Sequence, residues 1–264
     1  MFKRFLFLTL MMLATCICEI AYASGIMISG AMDVETEYMI NALQNRQEHR
    51  LGVWRFVTGE YQGCPMIISV TSVSQANAAA STALGIEKFQ PIAIINQGTA
   101  GAHALEIHPF DIVIGTSACD FGAYKTDSKG NSTFRGVKVY DESSGDFIRV
   151  VDFQPDSQLL EIARKIAPTY KFGNVVEGKI CTSGAWNKQK SRIKYFHKNF
   201  DTMCEEMETA TVAQICYDYK IPFIGIRVIS NNELTNEDFN PDTGEKCQQF
   251  ALDVAKAYYE SRNQ

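Results

Sequence analysis

Histidine is scarce in this chain, with four residues in 264: His49, His103, His108 and His197. They are scattered, with neither the spacing of a metal pair nor the order of a catalytic triad. The sequence therefore gives no support to a zinc enzyme or a Ser-His-Asp hydrolase. Positive charge is short as well. Twenty-five Lys and Arg face 30 Asp and Glu, for a formal net charge of −5 and a pI near 5.5. That balance lacks the basic footprint needed to hold a nucleic-acid backbone. No Cys-x-x-Cys occurs, no repeat is visible, and no long linker interrupts the chain. What is present is a 46% hydrophobic composition, enough for one large core.

The N-terminus stands apart. MFKRFLFLTLMMLATCICEIAYAS begins with Lys3 and Arg4 and runs apolar from Phe5 to about Cys18. It ends on Ala21-Tyr22-Ala23 before Ser24. This is the pattern of a secretory signal peptide over residues 1–23. The apolar run is short for a membrane span and is closed by Glu19. A retained anchor is the alternative; Cys16 is a poor lipidation site because Thr15 precedes it. The expectation is an exported protein, periplasmic in a bacterium, touching membrane only through its cleaved signal. One domain, 24–264, remains. Its six cysteines allow 15 pairings, and buried free thiols are expected for most of them.

Strand-like and helix-like segments then alternate. GIMIS (25–29), PIAIIN (91–96), DIVIGTS (111–117), VVEGKICTSG (175–184) and PFIGIRVIS (222–230) read as buried strands, and 52–61 with 65–71 as a hairpin. Helical spacing predicts helices over 33–46, 75–89, 156–167, 187–200, 207–220 and 245–261. DSKGNS (127–132) and DESSGD (141–146) are loop tips. The pattern predicts an α/β fold with a mixed central sheet flanked by helices on both faces.

In such folds ligands sit beyond the carboxyl ends of strands. GAMDVE with Glu35 follows the first strand, QGTAGAH the 91–96 strand, and Ala185-Trp186-Asn187 the 175–184 segment. Asn231-Asn232 follows the last strand, and EEMETAT (205–211) opens a helix. Each piece has a structural reading too. Acids favour a helix start, which suffices for Glu205, and a Trp is more often core than platform.

Order and spacing tip the balance. GAM-x-x-E, N-x-G-T-A-G, E-M-E-x-A and R-x-I-S together resemble the 5′-methylthioadenosine/S-adenosylhomocysteine nucleosidases of the purine nucleoside phosphorylase superfamily. The likeness runs from Gly25 to the C-terminus. It implies a nucleoside phosphorylase-like fold, a homodimer without metal or organic cofactor, and a small-molecule purine nucleoside as substrate. By the same resemblance Glu35 activates water, and Ala31, Thr99, Ala100 and Gly101 lie along the nucleoside. Trp186 stacks on the purine and the backbone near Asn187 contacts it. Met207 packs on the ribose and Glu208 accepts its hydroxyls. Glu206, Arg227 and Ser230 complete the polar shell, and Asn231 faces N7.

Two departures matter. The family carries Asp where this chain has Asn231, and G-x-G where it has Ser72-Val73-Ser74. An amide cannot release a proton to N7, though it can face adenine or a 6-oxopurine. Three alternatives stay beside the leading reading: a 6-oxopurine nucleosidase, a phosphorylase, and a non-catalytic nucleoside-binding protein. No Arg stands in GAMDVE to hold phosphate, and retained acids favour catalysis. The chemistry fits independently of any family. N-glycosidic cleavage passes through an oxocarbenium-like sugar, which carboxylates stabilise, while another carboxylate serves as base to water.

Overall fold

The computed structural model describes residues 25–262; the signal-peptide reading and Cys16 lie outside them. Strand β1 (Ile26–Gly30) is buried at every position and runs parallel to both its neighbours. A 3-10 turn, Asp33–Glu35, and helix α1 (Glu37–Ala42) follow, then strands β2 (Gln44–Leu51), β3 (Trp54–Tyr61) and β4 (Cys64–Val70). Helix α2 (Gln75–Phe89) leads to β5 (Ala93–Ala102) and β6 (Ile112–Asp120). Two hairpins come next, β7 (Tyr124–Thr126) with β8 (Ser132–Phe134) and β9 (Val137–Asp141) with β10 (Asp146–Val150). Strand β11 (Asp152–Phe153), helix α3 (Ser157–Ile166), β12 (Val175–Thr182) and α4 (Lys190–Phe200) precede β13 (Thr202–Glu206). Helix α5 (Thr209–Tyr219), β14 (Phe223–Asn231) and α6 (Thr243–Arg262) complete the described chain.

The expected α/β architecture holds: a mixed sheet of ten strands carries helices on both faces. Strand alternation explains the two layers. Ile26 and Ile28 point into a core with Met39 of α1, Leu159 of α3 and Phe250 of α6. Met27, between them, points the other way, against Ala78 and Ile86 of α2 and Val212 and Ala213 of α5. Part of the sheet also closes on itself. Strand β5 pairs with β13 and β14, β14 with β6, β6 with β12, and β12 with β13.

Three segments differ from the sequence reading. The 33–46 helix ends at Ala42, and Gln44–Leu51 is an edge strand paired only with β3. Nearly all of its residues are exposed, so no alternation betrays it; its polar and charged side chains suit an unpaired edge. The glycine-rich QGTAGAH is mostly strand, because β5 continues to Ala102. And TMCEE, read as the approach to a helix, is β13; the helix itself starts at Thr209. Cysteine usage is mixed. Cys119 and Cys181 are register partners on β6 and β12 and form a disulfide. Cys64, Cys204, Cys216 and Cys247 are buried free thiols.

Candidate active site

A cavity of about 300 Å³ opens beyond the carboxyl ends of β1, β5, β13 and β14. Its walls include Ala31, Glu35, Thr99, Ala100, Gly101 and Glu208. Met207, Trp186, Asn187, Glu206, Ser230 and Asn231 also reach it. Segments remote in sequence therefore meet at one opening.

Glu35 is 2% exposed, at the end of the 3-10 turn that follows β1. Its Oε2 accepts from the backbone N–H groups of Ala31 (2.9 Å) and Met32 (3.2 Å). Oε1 accepts from the N–H and the hydroxyl of Thr99, each at 2.8 Å. Gln97 Nε2 donates to the Glu35 carbonyl at 2.6 Å and ties the turn to β5. Gly98 permits this approach: a Cβ there would fall 2.8 Å from Glu35 Oε1 and 2.5 Å from Arg227 Nη1.

The EEMET segment divides its acids by task. Glu206 Oε2 accepts from the N–H groups of Glu208 and Thr209, both at 2.8 Å, satisfying donors at the start of α5. The same oxygen is 2.5 Å from Arg227 Nη2, and Oε1 accepts from Thr182 Oγ1. Arg227 is 1% exposed and also donates to Thr209 and Asn96. Burial works against its charge, but Glu206, Glu208 and Glu35 hold the guanidinium above the usual arginine value. Arg227, assigned to the polar shell and to substrate binding by the resemblance, lies behind the cavity wall and holds Glu206.

Glu208 is the freer carboxylate. Among the described residues its one hydrogen-bond donor is the N–H of Ser74, at 2.8 Å to Oε1. Burial, and then the nearby Glu206 charge, push it up to about 7, against the pull of Arg227 and the Ser74 N–H. The Ser72-Val73-Ser74 loop keeps a glycine-like backbone without glycine. Ser72 has φ 63° and Ser74 has φ 108° with ψ 155°, a region that side chains rarely enter. Val73 turns to the cavity, a contact the sequence reading did not include.

At the far end, Gly101 of β5 is the register partner of Glu205 on one side and of Asn231 on the other. Ser230 Oγ lies 3.1 Å from Asn231 Oδ1 and 3.2 Å from the Ala100 carbonyl. Trp186 is 57% exposed and meets Phe239 edge-on, with centroids 5.7 Å apart. It forms a rim rather than a buried platform. Asn187, near which the backbone is expected to contact the base, lines the cavity, and its own N–H donates to Glu205 Oε1 at 2.8 Å. Glu205 and Phe239 are additional cavity residues. The signal for Glu205 is its place at the carboxyl end of β13, which the polar TMCEE sequence conceals.

A larger open groove, about 1050 Å³, runs between the β9–β10 hairpin and α5. Its acids are strand-tip and helix-surface groups such as Asp141 and Asp218, and Glu142 is paired with Lys220. None of the candidate site residues named from the sequence reaches it. The smaller cavity is the one that gathers Glu35, Glu206 and Glu208.

Comparison with known proteins places this architecture. The Phosphorylase superfamily model matches residues 25–260, so the fold and site define a member of that superfamily. A 5′-methylthioadenosine/S-adenosylhomocysteine nucleosidase of Shewanella piezotolerans is 30% identical over 219 residues, 83% of this chain and 90% of that protein. The nucleosidase of Neisseria meningitidis, solved with methylthio-immucillin-A, superposes with a TM-score of 0.74 at 24% identity, over 89% of this chain and 99% of that one. Futalosine hydrolase of Helicobacter pylori gives a TM-score of 0.74 at 19% identity, over 89% and 98%. The chain belongs to the 5′-methylthioadenosine/S-adenosylhomocysteine nucleosidase family.

Proposed function

We propose that the protein hydrolyses the N-glycosidic bond of a purine nucleoside of the 5′-methylthioadenosine/S-adenosylhomocysteine type and releases the base. The observation that carries this reading is that Glu35 and Glu208, remote in sequence, both line one cavity. Glu35 takes the proton of the attacking water. Four donors already face its two oxygens, and the Thr99 hydroxyl alone can turn aside without moving backbone. Water therefore takes the place of that hydroxyl. Glu208, with a single partner, has acceptor sites free for ribose hydroxyls, and its charge stabilises the oxocarbenium-like sugar. Half-buried Met207 covers the sugar's apolar face. Trp186 and Phe239 close over the base from the rim, and Asn231 donates to N7.

Water is favoured over phosphate as nucleophile. A phosphate beside Glu35 would meet a carboxylate, and the nearby Arg227 is committed to Glu206, Asn96 and Thr209. Purified protein should release the purine from methylthioadenosine at the same rate in phosphate-free and phosphate buffer. A strict requirement for phosphate would defeat the hydrolase reading. A 6-oxopurine base is the second reading, because the amide of Asn231, turned round, can donate to O6 and accept from a protonated N7. Export by the N-terminal signal and assembly as a homodimer belong to the same proposal. The Cys119–Cys181 disulfide supports export, since such bonds persist in oxidising compartments. Dimerisation rests on the family resemblance.

A further inference from the structure

Glu205 has no part in the chemistry at the sugar, yet its carboxylate is buried, 6% exposed, and borders the cavity. It sits on β13 directly across from Gly101, and Asn231 sits across from Gly101 on β14. In-register neighbours project to the same face of a sheet. The two side chains therefore flank one bare patch of backbone, their Cα atoms two strand spacings, or about 10 Å, apart. Gly101 leaves that patch bare; a Cβ there would stand over it, in ordinary contact with Asn231 Nδ2 at 3.5 Å. A flat base laid over Gly101 has an amide at one edge and a carboxylate at the other.

The carboxylate is held from behind. Asn187 donates to it twice, from its backbone N–H (2.8 Å) and from Nδ2 (2.6 Å). His103 Nε2 lies 3.2 Å from Oε2, within ion-pair reach but off the hydrogen-bond axis. The imidazole is itself fixed: Nδ1 lies 2.6 Å from Thr202 Oγ1, and the ring stacks against Phe121 and Phe196. Oε1 has a single donor, which leaves it room to accept another.

Asn231 admits either purine by turning its amide: for adenine it donates to N7 and accepts from the 6-amino group, and for a 6-oxopurine it donates to O6 and accepts from a protonated N7. Glu205 does discriminate. Adenine N1 is a lone pair, which faces a carboxylate unfavourably and finds the Asn187 N–H already engaged. A 6-oxopurine carries N1–H, the donor that Oε1 can accept. We propose that Glu205 is a base-specificity residue that extends the substrate range to 6-oxopurine nucleosides, turned over at least as well as their 6-amino counterparts. This rests on the purine-nucleosidase reading above.

The test compares 5′-methylthioinosine with 5′-methylthioadenosine, which share a sugar and differ only in the base. Wild-type protein should hydrolyse the inosine at an equal or higher kcat/KM. Glu205→Val should lower the inosine-to-adenosine ratio of kcat/KM by about 10–100-fold, the range for losing a charge-assisted hydrogen bond. Glu205→Gln, closer in size, should lower it less. A role confined to holding Asn187 would lower both rates and leave the ratio fixed, which would overturn the proposal. Adenosine-only turnover by wild type would also overturn it, with the nucleosidase reading intact. If neither nucleoside reacted, that reading would fall, and equilibrium binding of hypoxanthine against adenine would decide. Tighter hypoxanthine binding that depends on Glu205 would support the proposal; equal binding would end it.

Discussion

At the scale of single residues, the two acids assigned to the sugar are built differently. Glu35 is saturated by donors from its own turn and from Thr99, whereas Glu208 has one donor and neighbouring negative charge. Glu208 must be ionised to accept ribose hydroxyls. With its ionisation pushed up to about 7, kcat/KM should show an acidic limb near that pH, falling about tenfold per pH unit below it. A flat profile down to pH 5 would contradict this. The stability sign follows from linkage. A carboxyl raised on folding binds its proton more tightly folded than unfolded, so this group costs stability as pH rises from its ordinary value to about 7. Glu208→Gln should remove that loss and stabilise the protein at pH 8, by at most about 3 kcal/mol. Glu35 and Glu208 are legible in the sequence because each sits in a motif at a strand or helix end. Glu205 is not, since its meaning depends on which residues β5 and β14 set beside it.

At the scale of elements, the loop between β4 and α2 carries strain in the service of one hydrogen bond. Ser72 and Ser74 hold positive φ so that the Ser74 N–H can reach Glu208. A side chain in such a conformation costs of order 1–3 kcal/mol, more than glycine loses in unfolded-state entropy, about 0.5–1 kcal/mol. Ser74→Gly should therefore raise the melting temperature and keep kcat/KM within a few-fold, because the N–H remains. A lower melting temperature would show that the serine side chain is worth more than the strain. The sequence marks this loop as a departure from its family pattern, but the retained backbone shape is visible only in three dimensions. The same holds for β2 and β13. A strand without apolar alternation, defined by its ladder partner, has no local signature. The buried strands β1, β5, β6 and β14 do have one, and their apolar runs locate them well.

At the scale of the whole molecule, alternating strands and helices fix the α/β class and the two covered faces. The closure of β5, β14, β6, β12 and β13 is not legible, because it depends on pairings between segments more than a hundred residues apart. That closure brings Cys119 and Cys181 together as register partners. Thiol titration of residues 24–264 after denaturation should find four free thiols, those of Cys64, Cys204, Cys216 and Cys247. Six would mean that the β6–β12 pair is reduced.

The central claim is that acids from opposite halves of the polypeptide act on one bound nucleoside. Its most direct test is Glu35→Gln, assayed in parallel for methylthioadenosine turnover and for equilibrium binding of a non-hydrolysable nucleoside analogue. Turnover should fall by at least about 10²-fold, the scale of a lost general base, with the dissociation constant changed by less than about tenfold. Unchanged turnover would contradict the account.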